Sequence, residues 1–429
     1  MSRGKTKHSS KSVYLKSAKE TQLPPTPVAP PGYLLPVIVL SQFAGTSLWF
    51  AGNAVLPELQ QEMHLPGSGT GLLTSAVQLG FILGTFCFAL LSLADRVSPR
   101  LLFMGCALLG AGANALVVAA AESLSTVLLL RAATGFLLAG IYPVGMKIAT
   151  SWYKSGLGKA IGYLVGALVI GTAFPHLLRA LGASLPWQTL LLLVSGLAAA
   201  GGVLMYVLVP QGPYLGKGAV FNAGNMLQVF RVREFRAAAL GYFGHMWELY
   251  TLWAFAPFLI SAALPQLAPS EVSMWSFGVI AAGAVGCVGG GYASQRWGSA
   301  RVAFLQLFAS GLCCVLSVIV LQLQAPLLVL LFLLGWGVVA AGDSPQFSAL
   351  NAQKAPPHLV GTALTVVVCI GFAVTIASIQ LMDYLLTLWP PHAMFGLLAA
   401  GPVAGLLSMR RLLVNQEGNQ HSSPNKSTR

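Results

Sequence analysis

The chain has 429 residues, of which 56% are hydrophobic and 8% charged, with a formal net charge of +13. So few charged side chains, at a mean hydropathy of +0.74, cannot coat a water-soluble globule, which excludes a soluble enzyme. The hydrophobic fraction, about 240 residues, is roughly what twelve membrane helices of ~20 residues each consume.

Residues 1–33 carry Arg3, Lys5, Lys7, Lys11, Lys16 and Lys19, then a run containing Pro24, Pro25, Pro27, Pro30 and Pro31. They hold no apolar stretch of signal-peptide type, and a disordered, solvated basic tail is expected. Apolar runs bounded by polar, Pro or Gly breaks then predict twelve spans, at 34–56, 70–93, 102–120, 124–146, 160–178, 187–209, 237–261, 273–294, 302–322, 326–348, 360–382 and 391–409. Assigned to alternate loops, 22 of the 24 Lys and Arg residues fall on one side, Arg179 falls on the other and Arg131 lies within a span. The positive-inside rule makes that side cytoplasmic and places both termini there. The same rule accounts for the positive charge, so no nucleic-acid partner is expected. The longest connection, 210–236, holds Gly212, Pro213, Gly216, Lys217, Gly218, Arg231, Arg233 and Arg236. The expected organisation is therefore a tail at 1–33, an N-terminal six-helix half at 34–209, a cytoplasmic linker at 210–236, a C-terminal half at 237–409 and a tail at 410–429. Cys87, Cys106, Cys287, Cys313, Cys314 and Cys369 all lie in apolar runs without CxxC spacing, which fits packing residues better than disulfides or a metal cluster.

A shift of about 202 residues lays the first half on the second. Gly135-x4-Gly140-x2-Pro143 in span 4 then matches Gly337-x4-Gly342-x2-Pro345 in span 10. One gap later Gly158-Lys-Ala160 falls on Gly361-Thr-Ala363. Asp95-Arg96-x3-Arg100 after span 2 is followed about 200 residues on by Gln295-Arg296-x4-Arg301 after span 8. The expected fold is an all-α membrane protein of twelve transmembrane helices in two pseudo-symmetric six-helix halves.

On these residues the chain resembles the major facilitator superfamily over 34–409. The family's loop signature, Gly-x3-Asp-Arg-x-Gly-(Arg/Lys)-(Arg/Lys), resembles Leu91-x3-Asp95-Arg96-Val97-Ser98-Pro99-Arg100, which keeps the charges and lacks both glycines. The second copy, Gly291-x3-Gln295-Arg296-Trp297-Gly298, keeps the glycines and lacks the acid. The resemblance implies that Asp95, Arg96, Arg100 and Arg296 gate the cytoplasmic face; plain topology anchoring is the alternative. Arg131-x3-Gly135 is similar to the family's span-4 signature, whose arginine is associated with proton coupling or substrate charge. Gly162-x8-Gly171 and Pro175 meet only part of its antiporter signature, and small residues there also serve close helix packing. The resemblance further implies a central cavity lined by spans 1, 4, 7 and 10.

A charge at the bilayer centre costs ~2.5–3.5 kcal/mol on insertion scales. Three intramembrane ionisable groups need a reason: Glu248, about twelve residues into span 7; Asp343, in Gly342-Asp-Ser-Pro345 of span 10; and Arg131. All fall on the spans implied to line the cavity. Low dielectric favours the protonated form of a carboxylate, so Glu248, with His245 one turn away and Asp343 on span 10, is expected to carry a coupling proton. The alternatives are a hydrogen-bonded packing acid at Glu248, a helix cap at Asp343 and a snorkelling side chain at Arg131. The His245–Glu248 spacing also occurs in metal motifs, but with no matching pair in a symmetric span neither a metal nor another cofactor is expected. Gln42, Thr46 and Asn53 share one face of span 1. With Arg131, Trp247 and Tyr250 they are the expected substrate ligands. Lys147 and His176, near helix ends, are expected to face headgroups.

These features point to a monomeric, proton-coupled secondary transporter of a small solute in a bacterial cytoplasmic membrane, with efflux favoured by the partial span-5 signature. Proton-coupled uptake of a small organic or inorganic anion, suggested by Arg131, is the alternative, and a non-transporting receptor or scaffold is a second. With no HExxH, GxSxG or paired catalytic carboxylates, no enzymatic activity is expected.

Overall fold

The computed structural model describes residues 29–63, 69–120, 122–153, 157–215, 221 and 223–421. The basic tail residues from Arg3 to Lys19, and Gly216, Lys217 and Gly218 of the linker, lie outside them.

The described chain is helical throughout its spans. The first half comprises α1 (Leu34–Thr46), α2 (Ala51–Ala54), α3 (Leu56–Glu62), α4 (Gly69–Leu90), α5 (Leu93–Arg96), α6 (Pro99–Leu116), α7 (Leu124–Leu138), α8 (Tyr142–Thr150), α9 (Leu157–Leu181) and α10 (Trp187–Leu208). The second comprises α11 (Arg233–Ala263), α12 (Pro269–Trp297), α13 (Ser299–Val320), α14 (Pro326–Gly342), α15 (Ser344–Lys354), α16 (Val360–Leu385), α17 (Pro391–Met394) and α18 (Ala400–His421). They form twelve transmembrane passages in two pseudo-symmetric halves of six. Among the described residues, nine helical stretches are long and apolar enough to cross a membrane unaided. Spans 1 and 12 are broken into shorter pieces, and α11, although 31 residues long, carries His245 and Glu248 in its middle.

Four spans that hydropathy draws as continuous are interrupted. Span 4 breaks between α7 and α8, and span 10 between α14 and α15, each with proline at the second position of the new helix, Pro143 and Pro345. Proline is tolerated there because its missing N–H has no intrahelical partner to lose. The repeated proline of the sequence thus produces a repeated break. Span 1 breaks at Ser47–Phe50, and in span 12 a 3-10 turn, Phe395–Ala399, precedes α18. That helix runs past the expected boundary at 409 as far as His421.

The repeat is also visible as packing. A Cβ on Gly135 would collide with the Val77 carbonyl and one on Gly84 with that of Phe136, where spans 2 and 4 cross. At the same offset of 202, Gly337 lies on Val279 and Gly286 on Val338, where spans 8 and 10 cross. Only hydrogen side chains allow backbones this close.

The two faces are called here after Asp95 and Glu58, which mark opposite ends of the helices. Along one edge of the interface between the halves, α9 packs against α12 from Gly158 beside Gly291, through Gly162 beside Cys287, to Val169 beside Gly283. Along the other edge α4 meets α16 from Gly71 beside Asp383, through a Gln380 to Ser75 hydrogen bond of 2.9 Å, to the Cys369 thiol on the Ile82 carbonyl at 3.7 Å.

Candidate functional site

A cavity of about 880 Å³ lies between the halves beyond that last contact and opens on the Asp95 face. Phe81, Thr85 and Phe88 of α4 and Tyr142, Met146 and Lys147 of α8 form one wall. Tyr242 of α11, Gln346 and Asn351 of α15, and Val368 and Phe372 of α16 form the other. The segments after the two proline breaks, α8 and α15, supply several of its polar groups, among them Tyr142, Lys147, Gln346 and Asn351. Tyr214, Leu215 and Phe221 of the linker also line it.

Toward the Glu58 face the cavity is closed by rings from both halves. Phe81 and Phe372 lie 4.4 Å apart by centroid, and Trp49 stacks on Phe372 at 5.6 Å. Tyr250 touches Trp49, Phe372 and Trp253 at 5.7, 5.1 and 5.2 Å. Trp49, Trp253, Phe50 and Phe81 are buried in this closure. Beyond it, Asn53 donates to Thr74 at 2.7 Å, Arg179 donates to Glu58, and Trp187 Nε1 donates to Glu62 at 2.8 Å.

The intramembrane charges lie behind the walls rather than on them. Arg131 is 1% exposed and donates to Asn114 Oδ1 at 2.7 Å, to the Leu48 carbonyl at 3.0 Å and to that of Trp49 at 2.8 Å. It thereby satisfies carbonyls freed by the break in span 1. Gly52 has no Cβ to keep the guanidinium away. Glu248, also buried, accepts from Ser310 and, at 2.6 Å, from Trp336 Nε1. His245 Nδ1 lies 2.7 Å from Asp343 Oδ1, and its Nε2 lies 2.8 Å from Ser344 Oγ. Asp343 occupies the cap position of α15, yet its side chain makes no capping bond.

The remaining residues singled out in the sequence are dispersed. Gln42 packs on Gly145, and Thr46 on Gly171 while donating to the Gln42 carbonyl at 2.8 Å. Trp247 packs against Gly401 of span 12. Span 1, implied to line the cavity, contributes no residue to this wall among those described, whereas spans 2, 5, 8 and 11 do. Asp95 accepts from Lys147 at 2.5 Å. Arg100 donates to the Val209 carbonyl at 2.9 Å and lies over the Tyr206 ring at 5.6 Å. Arg96 and Arg296 are exposed at the ends of α5 and α12. Two expectations are corrected: Lys147 lines the cavity mouth because the break before α8 turns it inward, and His176 is buried at 2% exposure.

The model of the Major Facilitator Superfamily matches residues 38–379. The chain belongs to that superfamily. It is accordingly a membrane transporter, whose substrate is a small molecule bound within the membrane. Among solved structures, the human organic anion transporter MFSD10 (TETRAN) is similar at a TM-score of 0.68 and 15% identity, over 89% of this chain and 100% of that one. The superfamily transporter FucP, in the outward conformation, is similar at 0.65 and 14%, over 88% and 98%. No curated protein sequence matches the chain significantly.

As a superfamily transporter it keeps several cavity residues that sequence reasoning passed over. Thr85, Gln346 and Asn351 are ordinary polar residues in apolar runs, and their only signal was proximity to a break or a glycine. Asp383, buried against Gly71 across the interface, was missed because the predicted span 11 stopped one residue short of it.

Proposed function

We propose that the protein is a monomeric, proton-coupled secondary transporter that exports a small solute across the cytoplasmic membrane of a bacterium, with both termini inside. The observation that carries this reading is the cavity between two pseudo-symmetric halves, open on the Asp95 face and sealed on the other by rings from both halves. Alternating access requires that pairing of one open and one closed face. The basic loops make the Asp95 face cytoplasmic, so the solute is loaded from inside. The halves in this reading are residues 34–209 and 237–409, joined by the linker at 210–236.

The proton site is the buried cluster of Glu248, His245 and Asp343. It lies on spans 7 and 10, and Ser344 connects it to α15, the helix that supplies Gln346 and Asn351 to the wall. One proton moving down ~100 mV is worth about 2.3 kcal/mol, enough to drive useful accumulation. Tyr250 and Asn53 join the wall when the aromatic closure opens, with Gln42, Thr46, Arg131 and Trp247 shaping the elements behind it. Asp95, Arg96, Arg100 and Arg296 seal the cytoplasmic face in the opposite state. Anion uptake would need a cation facing the cavity; Arg131 is committed to three acceptors and Lys147 to Asp95, which favours export.

The test is proton release from purified protein in weak buffer as organic anions, sugars, lipophilic cations and neutral aromatic compounds are added in turn. Wild type gives a pulse with its solute class, and Glu248→Gln gives none. If a ligand raises the melting temperature of both proteins and neither releases protons, Glu248 is not the coupling group.

A further inference from the structure

The cavity wall itself selects a class of solute, an inference that rests on the transporter reading above. Among the described lining residues only Lys147 and Asp95 carry a formal charge, and they neutralise each other. Lys147 Nζ is held further by the Ala94 carbonyl at 2.7 Å. Arg131, Glu248, His245 and Asp343 are each 2% exposed or less and absent from the wall. A solute with a fixed charge would therefore shed its water without gaining a counter-charge. A polyol would lose many hydrogen bonds and regain few, because most of the wall is aromatic or aliphatic.

The cavity roof adds a second constraint. Phe81 and Phe372, one ring from each half, both face the cavity and belong to the closure. Opening the Glu58 face must part them. A ring held in the cavity replaces the stacking that each loses, which stabilises the parted state more than the closed one. Such differential affinity is what a transported solute needs in order to shift the equilibrium. The wall also carries partly exposed hydroxyl groups, Tyr142 on the N-terminal half and Thr365 on the C-terminal half. A few hydroxyls on a mostly apolar wall suit a ligand with one or two hydrogen-bonding groups.

We propose that the cavity takes an uncharged, largely apolar solute of drug size, with an aromatic ring that replaces the Phe81–Phe372 contact as that pair parts and one or two hydrogen-bonding groups that meet Tyr142 and Thr365. A volume of about 880 Å³ falls within the usual range of ligand pockets.

The experiment uses four radiolabelled probes on the full-length protein in proteoliposomes: N-benzylbenzamide, its 4-carboxylate, its 4-trimethylammonium analogue and sucrose. Binding is corrected for uptake by protein-free liposomes, and counterflow is measured beside it. The neutral amide is expected to bind at least about tenfold more tightly than either charged analogue, with no binding of sucrose. Phe372→Ala is expected to weaken the amide about tenfold, while Phe372→Tyr stays within about threefold of wild type. Phe372→Leu, which keeps most of the volume and removes the ring, supplies the same reading if the alanine variant does not fold. Equal or tighter binding of a charged analogue, binding of none of the four, or an unchanged amide affinity in Phe372→Leu overturns the proposal. Counterflow of the carboxylate alone would keep the transport reading and reject this solute class. Binding of the amide without counterflow would do the reverse.

Discussion

Arg131 and Glu248 are opposite charges with parallel surroundings. Arg131 on span 4 reaches Asn114 on span 3 and the broken backbone of span 1, while Glu248 on span 7 is held by Ser310 on span 9 and Trp336 on span 10. Each half thus has one buried charge that ties together its first, third and fourth helices. For Arg131 the consequence is structural. Arg131→Ala leaves Asn114 Oδ1 and two carbonyls without their charged donor, and the expected cost is about 3 kcal/mol. It is measured as a lowered melting temperature in detergent, with solute affinity retained in the folded fraction. An unchanged melting temperature with lost affinity would place the guanidinium on the solute instead. Both residues were legible in the sequence as charges that needed a reason. Their direction was not, because α11 is buried nearly all round and its apolar pattern singles out no face.

Among the elements, the glycine crossings carry the repeat. Gly135 on Val77 and Gly337 on Val279 hold spans 2 and 4, and spans 8 and 10, at backbone contact. Gly337→Leu forces that crossing apart, and overpacking of this sort typically costs about 1–3 kcal/mol. The expected outcome is a lower melting temperature for Gly337→Leu and little change for Gly335→Leu, whose Cβ would meet open space. Equal effects at the two sites would show that the crossing does not depend on the missing side chain. The number of spans and the duplication were readable because apolar length and a constant offset survive in one dimension. The break at Asp343 was readable only as an alternative, a helix cap before Pro345, and the one at Ile141 not at all, since a hydropathy window registers lipid compatibility and is blind to whether the backbone runs on. Missing the breaks meant missing Lys147, Gln346 and Asn351, which reach the cavity only because α8 and α15 start afresh at Pro143 and Pro345.

At the scale of the whole molecule the two edges of the interface differ. Spans 5 and 8 stay in contact from Val169 and Gly283 to Gly158 and Gly291, and near that end the Tyr163 and Tyr292 hydroxyls lie 3.2 Å apart. Spans 2 and 11 part beyond Ile82 and Cys369, where Ala89 and Leu364 border the cavity. A pair of spin labels at Ala89→Cys and Leu364→Cys is expected to move much closer when the Asp95 face shuts, while a pair at Tyr163→Cys and Tyr292→Cys barely moves. Equal changes at both edges would mean that the halves separate evenly. The close contacts of spans 5 and 8 make that edge the expected pivot, on which the halves would tilt to shut the Asp95 face while the Glu58 face opens. Such a tilt would leave Tyr163 nearly in place, draw Ala89 and Leu364 together at one end and part Phe81 from Phe372 toward the other.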